Sequence, residues 1–264
     1  MKKYLVIGNP IEHSLSPELH NYWFKKNNIN AKYYKEKIES ADLKNIISRI
    51  KNNEIDGVNV TVPFKKEIIE YLDKLSPEAE KTRSVNTIYL DENKLIGHNT
   101  DVIGFEFAVQ DSKFLVTGKK IWILGAGGVV PSIIFALNKM KPSQIILSNR
   151  TQVKAENIGK NFKNLKILNW GVIPDFDMVI NATSVGLKVD DKLDLDFSKA
   201  GKGKFFFDVI YNPTRTNFLK TGAELNGQVE NGEKMFLYQA AQAFKIWHKI
   251  DPKINKEIKD ILRK

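Results

Sequence analysis

The sequence contains no cysteine. That excludes disulfides and thiolate metal ligands, and it agrees with a reducing, cytoplasmic setting. No apolar run of membrane length is present without interruption. The best candidate, Ile121 to Leu137, is free of charge but holds Gly125, Gly127, Gly128 and Pro131 and has charged residues close on both sides. A buried strand, a tight turn and a helix are expected there, not a membrane anchor. The opening Met1-Lys2-Lys3-Tyr4-Leu5-Val6-Ile7-Gly8 reads as a first strand rather than a secretory leader. Asn9, Pro10 and Glu12 interrupt it, and no small-residue cleavage site follows. Clustered basic residues are also missing. The formal charge is +10, but its lysines are scattered and not interleaved with aromatics. The excess therefore reads as solvated surface with mild steering of small anions, and no nucleic-acid partner is expected.

What is present is an ordinary globular composition, 42% hydrophobic and 27% charged, over 264 residues. That length suits two domains better than one core. Strand-like and helix-like segments alternate from the start. Lys3–Ile7, Ala31–Lys37 and Asp56–Thr61 read as strands, and Pro17–Asn27, Ala41–Asn52 and Lys65–Tyr71 as helices. Leu43, Ile46, Ile47 and Ile50 repeat at helical spacing. A second run has strands at Ile121–Leu124, Gln144–Ser148, Lys166–Leu168, Met178–Asn181 and Lys204–Val209, with helices at Val129–Met140 and Val153–Phe162. The fold class is α/β: a mostly parallel first domain covered by helices, then a Rossmann-type βαβαβ domain. Glu233–Lys249 reads as a long helix free to return to the first domain. Residues 1–101 with 232–264 are expected to form the first domain, and 102–231 the second.

The second domain carries a glycine-rich turn, Gly125-Ala126-Gly127-Gly128-Val129, between a hydrophobic strand and a helix. Backbone N–H groups and a helix N-terminus can hold a pyrophosphate there. Val130 stands where the third glycine of G-x-G-x-x-G belongs, and Pro131 falls in the first helical turn, where a missing N–H costs little. At the end of the next strand, an NAD-binding fold usually places an acid for the ribose 2′-hydroxyl. Here the strand ends in Asn149-Arg150-Thr151, with Lys154 one turn on. Two cations can meet a 2′-phosphate, which points to NADP(H); surface charge at a helix start is the plain alternative. No metal centre is expected.

The first domain holds polar residues that a fold alone does not need. They are Ser14 and Ser16 ahead of a helix, Asn59, Thr61 and Lys65 around a strand end and a proline turn, Asn86, and Asn99-Thr100-Asp101. Singly, Ser16 and Thr100 could be helix caps, Asn59 a turn residue and Lys65 a surface charge. Together they describe a site for a hydroxyl-rich small molecule, with one Lys/Asp pair available for proton chemistry.

These strings resemble the shikimate dehydrogenase family, nearly end to end. The matching segments are Gly8–Pro17, Asn59–Lys65, Val85-Asn86-Thr87, Asn99–Phe105, Gly125–Gly128, Asn149-Arg150-Thr151, Asn181–Gly186, Asp208–Pro213 and Gly232 with Gln239–Phe244. The resemblance implies NADPH-dependent, reversible reduction of 3-dehydroshikimate to shikimate. It implies Lys65 and Asp101 as the catalytic pair, and Ser14 and Ser16 at the substrate carboxylate with Tyr211 near. Asn59, Thr61, Asn86, Asp101, Gln239 and Gln242 would lie toward the ring. Gly125 to Val129, Asn149, Arg150, Thr151 and Lys154 would hold the adenosine and phosphate portions of the cofactor, and Thr183, Ser184, Val209 and Gly232 would lie toward the nicotinamide. It further implies an active site in a cleft between domains that close on substrate, in a monomer or homodimer. A relative that also takes quinate or NAD is the nearest alternative, and a catalytically silent NADP-sensing module the alternative of another class.

Overall fold

The computed structural model describes residues 1–188 and 190–262, so Arg263 and Lys264 of the carboxy-terminal stretch assigned to the first domain lie outside the described residues. The chain forms two compact units, Met1–Val102 with Gln239–Lys264, and Ile103–Tyr238.

In the first unit, β1 (Lys2–Gly8) runs parallel to β2 (Ala31–Lys37) on one side and to β3 (Gly57–Val60) on the other. Their apolar runs are buried as parallel strands require, and Leu5, Ile7, Val58 and Val60 join one core with the helical stripe Leu43, Ile46, Ile47 and Ile50. That stripe belongs to α2 (Leu43–Lys51), while α1 (Ser16–Lys26) begins with Pro17 in its first turn. The short β4 (Lys74–Leu75) and α3 (Pro77–Thr82) lead into a hairpin of β5 (Thr87–Asp91) and β6 (Lys94–His98). Among the described residues the sheet order is β2-β1-β3-β5-β6-β4.

Two local features differ from the sequence pattern. The hairpin adds antiparallel pairing to the sheet, β3 with β5 and β5 with β6. Its two-residue turn, Glu92-Asn93, has positive φ at both positions (46° and 61°), the geometry of a tight hairpin turn without the usual glycine that announces one. The helix expected over Lys65–Tyr71 is a 3₁₀ turn over Glu67–Tyr71. The Lys65 carbonyl is taken by Val85 N–H at 2.8 Å, so the Ile69 N–H bonds back to Lys66 instead. That diversion tightens the ladder to i→i+3.

In the second unit all strand pairs are parallel. They are β7 (Lys120–Leu124), β8 (Gln144–Ser148), β9 (Leu165–Leu168), β10 (Met178–Asn181), β11 (Phe205–Asp208) and β12 (Gln228–Glu230), in the order β12-β11-β10-β7-β8-β9. This is the doubly wound arrangement, with its switch point between β7 and β10. Helices α5 (Val130–Lys139), α6 (Gln152–Gly159) and α7 (Asn217–Glu224) accompany the strands, and Trp122, Phe176, Phe197, Phe206 and Phe218 fill one core. Two helices contain the division between units, α4 (Asp101–Asp111) and α8 (Glu233–His248).

The end of α8 packs in the first unit. Trp247 lies 4.8 Å from Tyr4 between ring centroids and 5.5 Å from His20, and Phe244 lies 5.7 Å from Phe24. The closing α9 (Lys256–Leu262) also meets α1, through the Glu257 carboxylate, which accepts from the Tyr22 hydroxyl at 2.7 Å. Among the described residues no helix is long and apolar enough to cross a membrane.

Candidate active site

Strand β3 ends at Val60, and the chain then turns through Thr61 and Pro63 to bring Lys65 beside the first residue of α4. Lys65 Nζ lies 2.5 Å from Asp101 Oδ2, with the side chains only 12% and 8% exposed. Asp101 Oδ1 accepts from Asn86 Nδ2 at 2.9 Å. The orientation of that amide follows from the backbone: Thr100 N–H can only donate, and it donates to Asn86 Oδ1 at 2.8 Å. The Asn86 NH₂ therefore faces Asp101 and Thr100 Oγ1. Asn99 Oδ1 accepts from Asp101 N–H at 3.1 Å and secures the start of the helix. The carboxylate is thus held from two sides, Asn86 on Oδ1 and Lys65 on Oδ2, while Asn99 fixes the backbone that carries it.

Asn59 extends the network. Its Oδ1 accepts from the Tyr33 hydroxyl at 2.7 Å, and its Nδ2 donates to Asn86 O and to Thr87 Oγ1, both at 2.9 Å. Both amide protons are thereby used inside the unit, leaving Asn59 one lone pair of Oδ1 to offer a ligand. Ser16 does not cap α1, where Leu15 takes the cap position. Burial pushes the pKa of the Tyr33 hydroxyl well up, and Ser16 works against that shift. Ser14 Oγ accepts weakly from Ser16 N–H at 3.4 Å. Thr61 presses on β1, since a Cβ on Gly8 would come within 2.4 Å of its methyl group. From α8, Gln239 Oε1 lies 3.5 Å from Thr100 Oγ1, and Gln242 follows one turn later on the same face, half-buried. Ser14, Ser16, Asn59, Thr61, Lys65, Asn86, Asp101, Gln239 and Gln242 all belong to the first unit, and Tyr211 to the second.

The second unit gathers the dinucleotide residues at the carboxyl ends of its strands. Gly125 has φ +105°, and a Cβ there would meet the Ala182 carbonyl oxygen at 2.8 Å, so only glycine suits the turn. Gly127 and Gly128 are exposed, and Val129 caps α5 without any side-chain hydrogen bond; Val130 N–H donates to Gly127 O at 3.1 Å and Pro131 has no N–H, so the place for an anion is the glycine turn itself rather than the first helical turn. Beyond β8, Asn149 Nδ2 donates to Thr151 O at 2.8 Å. Arg150, Thr151 and Lys154 are exposed, and neither cation forms an ion pair among the described residues. The Thr183 methyl group lies against Gly125, and Gly232 sits so close to Val209 that a Cβ would fall 2.1 Å from its carbonyl oxygen. Tyr211 stacks on Phe236 at 4.6 Å. A bare-backbone cradle at an uncapped helix start, with unpaired cations at the next strand end, fits a phosphorylated dinucleotide.

Residues 6–88 match the family described as the shikimate dehydrogenase substrate binding domain, and residues 108–214 match the shikimate / quinate 5-dehydrogenase family. A curated NADP(+) shikimate dehydrogenase from Pelagibacter ubique is 52% identical over 261 residues, which cover 99% of this chain and 98% of that one. The chain belongs to the shikimate dehydrogenase family. A shikimate dehydrogenase solved in complex with NADP+ is similar at a TM-score of 0.93 and 36% identity, covering 100% of this chain and 95% of that one. Another, from Thermus thermophilus with NADP(H) and shikimate, gives 0.91 at 28% identity and covers 100% and 99%. In this shikimate dehydrogenase family member, the glycine-turn departure Val130 is fully buried, so its bulk goes into the packing of α5.

Sequence reasoning assigned no role to Tyr33, Asn181, Thr216 or Asp208. The signal for two of them was available: Met-Val-Ile-Asn and Phe-Phe-Phe-Asp each end a wholly apolar strand in a polar residue, and both Asn181 and Asp208 are 0% exposed.

Proposed function

We propose that the protein catalyses the reversible, NADPH-dependent reduction of 3-dehydroshikimate to shikimate. The observation that carries this reading is the Lys65–Asp101 pair, secluded from solvent and braced by Asn86. Residues 1–101 with 232–264 would bind the substrate and 102–231 the cofactor. Arg150 and Lys154 would meet the 2′-phosphate, Gly125 to Val129 the pyrophosphate, and Thr183, Ser184, Val209 and Gly232 the nicotinamide end. The cofactor, when bound, supplies the hydride that the C3 carbonyl carbon accepts.

Lys65 then serves the oxygen. Its ammonium stabilises negative charge developing there and gives it a proton, which solvent restores to the lysine afterwards. Asp101 aims the lysine and, through its other oxygen and Asn86, ties it to the ring-binding residues. Ser14 and Ser16 would hold the substrate carboxylate, with Tyr211, and Thr61, Asn86, Gln239 and Gln242 the ring hydroxyls. Asn59 would act largely by holding Asn86 and Thr87. The freedom from cysteine suits an enzyme of the cytoplasm.

Initial rates with NADP⁺ and NAD⁺, each against shikimate and quinate, test the reading. Shikimate with NADP⁺ is expected to be the preferred pair. A preference for NAD⁺ would remove the role of Arg150, a preference for quinate would overturn the substrate, and no turnover with any pair would overturn the activity.

A further inference from the structure

The most deeply buried acid of the second unit takes no part in the chemistry above. Asp208, at the end of β11, is 0% exposed and has no cation against it among the described residues. Three donors surround it instead. Asn181 Nδ2 and Ile210 N–H give to Oδ1 at 3.1 and 3.0 Å, and the Thr216 hydroxyl gives to Oδ2 at 2.6 Å.

An ionised carboxylate only accepts, so it dictates the direction of every hydrogen bond beyond it. Asn181 pairs with Asp208 in the sheet register and must turn its NH₂ toward the acid. Its Oδ1 then faces the next loop, where it accepts from Thr183 N–H at 3.1 Å and from the Thr183 hydroxyl at 2.7 Å. With that proton spent, Thr183 Oγ1 accepts from Val185 N–H at 3.0 Å, and the second Asn181 amide proton goes to Val185 O at 3.0 Å. On the other side, Ile210 N–H and Thr216 fix the turn that carries Val209 and Tyr211. The two loops also touch directly, since a Cβ on Gly186 (φ +119°) would lie 3.1 Å from the Thr216 methyl group.

We propose that Asp208 is a positioning residue that locks the Thr183–Ser184 loop and the Val209–Tyr211 turn into one surface for the nicotinamide end of the cofactor. It works through Asn181 and Thr216, and the inference rests on the cofactor assignment proposed above. The acid touches neither cofactor nor substrate. It sets the polarity of a chain of hydrogen bonds whose far end does. A neutral amide at 208 cannot accept on both sides, so Thr216 would lose its acceptor or Asn181 would turn over and release Thr183.

The test compares two ligands that share the adenosine half. NADP⁺ and adenosine 2′,5′-bisphosphate are titrated into wild type, Asp208→Asn, Asp208→Ala and Thr216→Val, following tryptophan fluorescence, with thermal unfolding of each protein alongside. For Asp208→Asn the NADP⁺ Kd is expected to rise about tenfold, the loss of roughly one hydrogen bond to a charged group. Adenosine 2′,5′-bisphosphate should still bind like wild type, and the Asn variant should unfold no earlier than wild type at pH 7.5. Thr216→Val should give a smaller rise in the same direction, and Asp208→Ala a larger one if it folds. Unchanged NADP⁺ binding in Asp208→Asn would overturn the inference. So would equal weakening of both ligands, which marks a residue that merely holds the unit together. Failure of wild type to bind either ligand would sink the cofactor reading and this inference with it, a result distinct from any variant-specific loss.

Discussion

The two units build their sites from opposite materials. In the first, side chains do the work: Lys65, Asp101, Asn86, Thr100, Asn59 and Tyr33 hold one another through hydrogen bonds between residues far apart in sequence. In the second, the backbone does it. The turn from Gly125 to Gly128 lays bare backbone, exposed at Gly127 and Gly128, ahead of a helix start with no side-chain cap, and glycines at 125 and 232 let neighbouring chain approach where any Cβ would collide. A site of side chains can select among small hydroxylated rings, because each donor or acceptor left unmatched costs free energy. A site of backbone suits a pyrophosphate, which asks for several N–H groups and little else.

The buried titratable groups repeat the contrast. His20 is 0% exposed in the first unit, stacked on Tyr33 at 4.4 Å, and its ring nitrogens find no hydrogen-bond partner among the described residues. Burial, with His248 adding to it, pushes its pKa down to about 3, so it stays neutral. Asp208 in the second unit is surrounded by donors, yet burial outweighs them and pushes its pKa up to about 6.

The sharpest way to break the first half of the comparison is Lys65→Ala. It should lower kcat by about 10²–10⁴ with little change in the KM for shikimate, as expected when a general acid is removed. Steady-state kinetics check this, and near-normal turnover would place the proton chemistry elsewhere. Asp101→Ala should lower kcat and raise KM together, because the same carboxylate aims the lysine and, through Asn86, the ring contacts.

A pH series sharpens the second half. As pH falls from 6.5 toward about 3, the unfolded chain takes a proton that folded His20 refuses, so stability is lost in acid. Asp208 has the opposite sign: between about 6 and 3.8 the folded carboxyl takes the proton first, and stability rises as pH falls. Each effect amounts to about 3 kcal/mol by pH 4, because a tenfold difference in proton affinity between folded and unfolded chain is worth roughly 1.4 kcal/mol. Calorimetry at pH 4 and 7.5 should show His20→Phe gaining relative stability in acid and Asp208→Asn losing it. The same ordering in both variants would mean that one of the two groups is not buried as described.

The smallest effect tests the backbone site at its one place of side-chain selectivity. Arg150→Ala should raise the KM for NADP⁺ about tenfold, the low end for a charge-assisted hydrogen bond at an exposed position, and leave the KM for NAD⁺ unchanged. Equal changes with both cofactors would show that Arg150 does not read the 2′-phosphate.

Much of this is legible in the chain alone. Strand-turn-helix around Gly125 follows from an apolar run broken by glycines, and the α2 stripe from residues three and four apart. The β5–β6 hairpin is not, because Glu92-Asn93 adopts positive φ without a glycine to mark it. Nor is the 3₁₀ turn after Lys65, which depends on a distant residue, Val85, capturing a carbonyl. Asn59 reads in sequence as a turn residue or as an amide turned toward a ligand, and the fold uses both of its protons inside the unit.

The sequence by itself determined the α/β class, the dinucleotide turn, the cations that follow β8 and the identity of the lysine and aspartate, because each depends on local pattern or on residue chemistry alone. Only the tertiary structure decided that Lys65 meets Asp101 at 2.5 Å, which way Asn86 and Asn181 point, and that His20 and Asp208 are buried to opposite effect. Those facts depend on hydrogen-bond partners and desolvation brought by distant segments, and no neighbouring residue in the chain encodes them.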